Sequence, residues 1–411
     1  MEDYIQYKNK VLCIDGTPYT QFISKKTSPS VCVSLDRIKS NIALLRRGLC
    51  GIDHNIHYAL KASYLKPIVE TVRKEGLGVE IMSEYEWKLA LKGKFSKTMI
   101  VMNGLGRSAE ELMTAIKNKS IVNIDSLSEV KKLSSYKKFF QENRSTIGLR
   151  IHPDFSGDGN FVKKGDKLGM SYSEAKECIV YAKKIGLRIT GFSFHIFSNQ
   201  TNSDIYEEII GSLKDFVTGI TNEYELDCKY IDIGGGIAPR IIFTNDKESE
   251  YFFTRISSIF RKYFSSEVRL IIEPGRYLVS DAVIVLARIK TIKYMGGKTW
   301  AVLDIGTNYL IPAPGCNYKV IPCVESETFS KKTTNVMFVD GICSPAGHIG
   351  ESNMDVKEGQ VVAVLNCGAY TSVMKEEFVF CTPRHVYIES GKVVKVVKKK
   401  TFAEFAKFHG W

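Results

Sequence analysis

Eight times between residues 57 and 273, a short apolar run gives way to a turn and then to an amphipathic stretch. The runs are HYAL (57–60), GVEIM (78–82), TMIVM (98–102), IVNI (121–124), TIGLRI (146–151), ITGFSFHIF (189–197), YIDI (230–233) and VRLIIE (268–273). Between them the pattern predicts helices over 65–74, 84–92, 109–118, 126–139, 172–185, 206–221 and 252–263. Within 172–185, Ala175, Ile179 and Ala182 recur at helical spacing. Ser108 and Ser126 stand where N-caps belong. Eight such alternations in roughly 250 residues predict an α/β fold, with parallel strands closed into a (β/α)8 barrel. A doubly wound open sheet is the alternative. After Arg276 helical patterns nearly vanish, and Val-, Ile- and Tyr-rich runs predict an antiparallel β-sandwich or β-barrel domain. One of these runs is read at 378–380. The expected division is an N-terminal segment, 1–30, pairing with the β domain, then a barrel over 31–276 and a β domain over 277–411.

Composition narrows the function classes. Of 411 residues, 44% are apolar and 25% charged, as in ordinary globular chains. The best membrane-span candidate, Leu278–Leu286, is short and contains Asp281. The start, MEDYIQYKNK, lacks the apolar region of a signal peptide. A cytoplasmic protein without membrane partners is therefore expected. The net charge of +12 comes from lysines spread along the chain. Their densest cluster, at 392, 395 and 398–400, reads as a strand's solvent face and its end, with no nucleic-acid partner. Ten cysteines without a C-x-x-C pair predict reduced thiols and no metal site.

In such a barrel the strands' C-terminal ends carry the chemistry. The predicted exits hold Lys61, then Glu80 and Ser83, Asn103-Gly104, Asp125, Arg150 with His152, His195, Gly234-Gly235-Gly236, and Glu273 with Arg276. A purely structural rim has no use for so many ionisable groups. The glycine triplet follows strand seven, where a barrel places phosphate on backbone N–H groups. By itself it is also a plain tight turn. Lys61 follows an apolar strand, and desolvation there favours the neutral amine that a Schiff base requires. A surface lysine is the structural alternative. Glu273 follows three apolar residues and needs a partner if buried. His195, between Phe194 and Ile196, also reads as a core histidine.

These residues resemble the fold-type III pyridoxal-phosphate (PLP) decarboxylases, the family of diaminopimelate, ornithine and arginine decarboxylases, nearly end to end. Tyr58-Ala59-Leu60-Lys61-Ala62-Ser63 resembles the family's lysine motif. Matches continue at Gly76–Glu80 with Ser83 and Glu86, Asn123–Leu127, Gly148–Ile151 and Asp166–Gly169. The most specific are Asp232-Ile233-Gly234-Gly235-Gly236 and Glu273-Pro274-Gly275-Arg276. Gly341-Ile342-Cys343 and Gly368-Ala369-Tyr370 resemble two β-domain motifs. The resemblance implies a PLP-binding, TIM-like barrel and an amino-acid-derived substrate that loses its α-carboxylate. Lys61 would hold the cofactor covalently, Glu273 would face its pyridine nitrogen and His195 its ring. Gly235, Gly236, Arg276 and Tyr370 would hold its phosphate. Glu80, Ser83, Arg150, Ser198 and Gly275 would complete the cofactor site. Cys343 would return a proton to Cα, from the partner subunit of a homodimer with shared sites.

The departures lie at the substrate end. Pro312 stands where diaminopimelate decarboxylases carry Arg, Ser344 follows the cysteine in place of Glu, and Gly347 replaces an acid that binds a distal amine. Phe197 replaces a Gly, and Phe378-Val379 replaces Tyr-Asn. Cys343-Ser344-Pro345 resembles the motif of siderophore- and antibiotic-pathway decarboxylases. The expected substrate is therefore a modified or conjugated amino acid met by Arg276, Ser344, His348 and Phe378. Diaminopimelate is the alternative. A racemase and an inactive, binding-only relative are weaker readings, because Lys61, Glu273 and Cys343 are all present.

Overall fold

A computed structural model describes residues 4–153, 165–312, 315–325, 335–344 and 347–411. Pro345 of the Cys-Ser-Pro motif lies outside them. The chain forms two compact units. One comprises Asn41–Lys61 and Val69–Tyr277; the other comprises the chain through Ser40, Ala62–Ile68, and the chain from Leu278 onward.

In the first unit eight parallel strands close into a barrel in chain order. They are His54–Ala59, Gly78–Ile81, Ile100–Met102, Ile121–Ile124, Thr146–Arg150, Arg188–Ser193, Tyr230–Asp232 and Arg269–Ile272. The eightfold alternation thus closes on itself. Gly78–Ile81 and Ile100–Met102 are buried along their whole length, since both faces of a barrel strand are covered.

The barrel interior is fitted around three glycines. The register sets Gly78 beside His57, and runs Asn123, Gly148, Gly191, Tyr230 around the other side. A Cβ at Gly148 would lie 2.1 Å from the Tyr230 hydroxyl, and one at Gly191 2.2 Å from its ring. The Tyr230 side chain therefore fills the space that both glycines leave. It also packs with Val101 and Ile271.

Outside the strands several helices start where the sequence predicts, but Asp246–Tyr263, capped by Asn245, starts six residues before the expected 252, and Leu35–Gly48 has no predicted counterpart. Ser108 forms a capping box with Glu111 at Ala109–Lys117, and Ser126 caps Leu127–Lys132. Tyr172–Ile185 spans the predicted bounds and ends on left-handed Gly186. The expected single helix over 126–139 is instead three pieces: Leu127–Lys132, a 3-10 segment Leu133–Tyr136, and Lys137–Glu142. The break coincides with Ser134, whose hydroxyl donates to the Lys131 carbonyl at 2.7 Å and competes with helical bonding.

The second unit holds a nine-stranded sheet. The strand Ser30–Ser34, which the sequence reading leaves at the barrel's start, is central in this sheet. It pairs antiparallel with Val283–Met295 and parallel with Arg384–Glu389. A further parallel pairing joins Lys298–Leu303 to Asn335–Val339, so the sheet is mixed rather than wholly antiparallel. The N-terminal strands Ile5–Lys8, Val11–Ile14 and Thr17–Pro18 form a small sheet of their own. Its Ile5, Leu12 and Ile14 share one core with Cys32, Ile284, Leu286, Ala363, Val386 and Ile388, giving two stacked layers.

The strand expected at 378–380 does not form. Asn308 donates to the carbonyls of Glu376 and Phe380, holding a turn, and Val379 is left-handed at φ 66°. Lys392–Val397 is a strand, but its valines are exposed along with its lysines, because it pairs only with Arg384–Glu389 among the described residues. No described helix is long and apolar enough to cross a membrane.

Candidate active site

Inward-facing polar residues converge at the barrel's C-terminal mouth. Lys61 sits in a 3-10 turn directly after the first strand, and its Nζ lies 2.6 Å from Glu80 Oε2. Glu80 comes from the second strand and is 1% exposed. Asn103, just past the third strand, donates to Glu80 Oε1 at 3.3 Å and to Glu273 Oε1 at 2.7 Å. Asn123 of the fourth strand donates to Asn103 Oδ1 and to Asp232 Oδ2, both at 3.0 Å. The Tyr230 hydroxyl donates to Asn123 Oδ1 at 2.9 Å. A continuous polar ladder therefore climbs from Tyr230, in the barrel interior, to Lys61 at the mouth.

The ladder encloses three carboxylates. Glu273 is held well above the usual carboxylate range, first by burial, then by Asp232 and Glu80, with Lys61 opposing. Asp232 is raised to about 6 by burial and shares a side-chain hydrogen bond with Glu273. Low dielectric makes each uncompensated charge costly, so burial favours the protonated forms of Asp232 and Glu273. Asp232 Oδ1 also accepts from Gly234 N at 2.9 Å, tying the acid to the glycine turn.

That turn accepts only glycine. Gly234 and Gly236 are left-handed at φ 67° and 82°. A Cβ at Gly235 would lie 2.3 Å from the Glu273 carbonyl, and one at Gly236 2.2 Å from the Phe197 carbonyl. The Gly235 N–H donates to His195 Nδ1 at 3.0 Å and so orients the histidine. With Nδ1 accepting, the neutral His195 ring carries its proton on Nε2. Its pKa is pushed down to about 3 by burial, then by the charges of Arg150 and Lys61. The ring is therefore neutral at physiological pH.

Arg150, at the end of the fifth strand, lies 3.6 Å from Asp125. Asp125 is raised to about 6 by burial and also accepts from Gly169 N. Arg276 opens a short helix, Arg276–Val279, after Gly275, and is buried. Ser83 caps Glu84–Lys92 by accepting from Glu86 N at 3.3 Å, a structural use of the hydroxyl assigned to the cofactor. Ser198 follows His195 by three residues and is partly buried. Cys343, Ser344, His348, Tyr370 and Phe378 belong to the second unit. Cys343 is exposed, His348 opens the strand His348–Asn353, and left-handed Tyr370 (φ 67°) donates its N–H to Ala62. Phe378 is 57% exposed.

The sequence reading assigned no role to Asn123, Tyr230 or Asp232. Their signal was parity. In YIDI, Tyr230 and Asp232 share the face whose next member is Gly234, and polar residues on that face of a short apolar strand point into a barrel.

These donors fit pyridoxal phosphate. A primary amine suits an aldehyde, a buried carboxylate a pyridine nitrogen, a neutral imidazole an aromatic ring, and a glycine turn with a buried arginine a phosphate. Among the described residues no cluster suits a metal.

A sequence model described as "Pyridoxal-dependent decarboxylase, pyridoxal binding domain" matches residues 35–280. The diaminopimelate decarboxylase of Aquifex aeolicus is 26% identical over 97% of this chain and 96% of its own length. That of Methanothermobacter thermautotrophicus is 26% identical over 96% and 94%. Among solved structures, the M. jannaschii diaminopimelate decarboxylase, crystallised with L-lysine, superposes with a TM-score of 0.85 at 23% identity, covering 98% of this chain and 97% of its own. The Vibrio vulnificus lysine/ornithine decarboxylase, complexed with putrescine, gives 0.75 at 21% identity over 88% and 95%.

Proposed function

The chain belongs to the pyridoxal-dependent decarboxylases, and we propose that it removes one α-carboxylate from diaminopimelate. It is a PLP-dependent amino-acid decarboxylase. The constellation of Lys61, Glu80, Asn103 and Glu273 at one barrel mouth carries the chemical part of this reading. The substrate part is supported by relatives of that name that match along nearly their whole length.

When bound, pyridoxal phosphate supplies a ring that accepts the electron pair left at Cα as carbon dioxide departs. In this proposal Lys61 provides the amine that attaches the cofactor, and Glu80, 2.6 Å away, takes the ammonium proton. Glu273 accepts a hydrogen bond from the pyridine nitrogen. His195, oriented by Gly235, would offer its neutral ring to the cofactor's ring. Gly236 and Arg276 would hold the phosphate. Cys343 gives its thiol proton to Cα. The reading includes a homodimer in which the partner subunit supplies this thiol.

A conjugated amino acid is the second reading, and Gly347 favours it. A Cβ there would lie 2.2 Å from Asp340 Oδ1. The Asp340 carboxylate itself accepts from Thr307 N and Oγ1 at 2.7 Å and from Ile342 N at 3.1 Å. Position 347 thus has no room for an acid, and the neighbouring acid is committed to its own loop. A distal ammonium buried without such a partner costs several kcal/mol, to order of magnitude.

Carbon dioxide release from meso-diaminopimelate, ornithine and N-acylated diamino acids, with Lys61→Ala as blank, tests both. Turnover of diaminopimelate above every conjugate supports the first reading. Turnover of conjugates alone replaces it with the second. No turnover of any amino acid, together with no cofactor absorbance lost in Lys61→Ala, overturns the chemical part.

A further inference from the structure

We propose that Asn103 is a positioning residue, which holds Glu273 as a hydrogen-bond acceptor toward the cofactor nitrogen and keeps it apart from Glu80. The inference rests on Glu273 as the partner of that nitrogen.

Asn103 is 8% exposed, and its one amide nitrogen spans two carboxylates. An amide nitrogen has two hydrogens, and here each faces an acid. Its orientation is dictated from behind. Asn103 Oδ1 accepts from Asn123 Nδ2, which also donates to Asp232. The far end of Asn123 is pinned in turn by the Tyr230 hydroxyl. Flipping Asn103 would set its oxygen against two carboxylates and its nitrogen against another amide nitrogen. The ladder therefore admits one orientation, the one in which Glu273 Oε1 receives a proton and does not carry one.

That matters because the rest of the surroundings push the other way. Burial and the neighbouring acids Asp232 and Glu80 favour a protonated Glu273, and Lys61 is the cation that opposes them. A protonated Glu273 would offer the pyridine nitrogen a donor and would lose its grip on a pyridinium. A hydrogen bond to the charged form of an acid favours that form. Asn103 supplies it at 2.7 Å, from a side chain that carries no charge and so adds no repulsion.

The test uses the full-length protein reconstituted with PLP labelled with 15N at the ring nitrogen. Asn103→Leu removes the donor at similar volume, and Asn103→Ala serves if the leucine variant does not fold, as judged by circular dichroism. The 15N resonance is expected to move toward the unprotonated ring. The protonated fraction should change by about tenfold, equivalent to one pKa unit. The decarboxylation kcat should fall with KM little changed. Glu273→Gln is the reference. If it leaves the resonance in place, the assignment of Glu273 fails. If it moves the resonance while a folded Asn103 variant does not, the role of Asn103 is overturned.

Discussion

Gly148→Ala puts the barrel's internal fit to a quantitative test. Gly148 has ordinary backbone angles, so the substitution adds no strain in φ, and its effect is purely that of one methyl group. The new Cβ would lie 2.1 Å from Tyr230 Oη, 3.0 Å from its Cζ and 2.5 Å from Asn123 Oδ1. The tyrosine ring has no retreat, because its other face already fills the space above Gly191. Overpacking a core costs about 1–3 kcal/mol. Displacing the Tyr230 hydroxyl also breaks its bond to Asn123, and a buried polar group left unpaired costs about 1–3 kcal/mol more. Gly148→Ala should therefore destabilise by about 2–6 kcal/mol. Urea unfolding at a fixed excess of cofactor measures it, since cofactor binding itself adds to stability. Gly219→Ala is the control. Nothing lies within 4 Å of a Cβ there, in the helix Ile205–Tyr224. It should stabilise by about 0.5–1 kcal/mol. Tyr230→Phe removes the atom that clashes hardest, so Gly148→Ala with Tyr230→Phe should cost less than the sum of the two alone. A loss below about 1 kcal/mol for Gly148→Ala, or strict additivity of the pair, would refute the reasoning.

Two further outcomes follow from buried charge. His57 is fully buried and its pKa is pushed down from 6.5 to about 4 by burial. Its stabilising contribution is complete above the unfolded value and is lost as pH falls from 6.5 toward 4, where the unfolded chain binds the proton and the folded chain does not. In His57→Gln the fall in unfolding free energy between pH 7 and pH 5 should shrink by roughly 2 kcal/mol, and an unchanged slope in urea titrations would count against this. Arg107 and Glu129 are each 2% exposed and are joined at 2.6 Å. Glu129→Gln should destabilise by about 3–5 kcal/mol, because it leaves the guanidinium buried without its charge partner. Arg107 also donates to the Met102 and Asn123 carbonyls, so hydrogen exchange should rise first at those two strand exits.

Barrel closure was legible because eight apolar runs sit at regular intervals, each short enough to be a strand and each followed by a helical face. The site was legible where chemistry and position coincide, as at Lys61 and Glu273. The polar ladder was not, since Asn123 and Tyr230 become neighbours only when strands four and seven face each other across a closed ring, a distance of 107 residues in sequence. Ser30–Ser34 was missed for a related reason. An apolar pentapeptide has no local mark saying which sheet it enters. The 378–380 segment misled because three apolar residues satisfy a strand pattern, whereas a strand also needs a partner and here a turn won. Gly235 shows a further limit: its amide donates to His195, a bond between two strand exits that no spacing rule reveals.

The place of Ser30–Ser34 bears on how the chain is made. This strand leaves the ribosome early, but its sheet neighbours, Val283–Met295 and Arg384–Glu389, come roughly 250 and 350 residues later, at synthesis rates of about 5–20 residues per second. The nascent segment must wait, edge unsatisfied, while the barrel forms behind it. Any attempt to express the C-terminal half alone would lack its middle rung, and a splitting scheme that keeps the sheet whole has to graft residues 30–34 onto the later fragment.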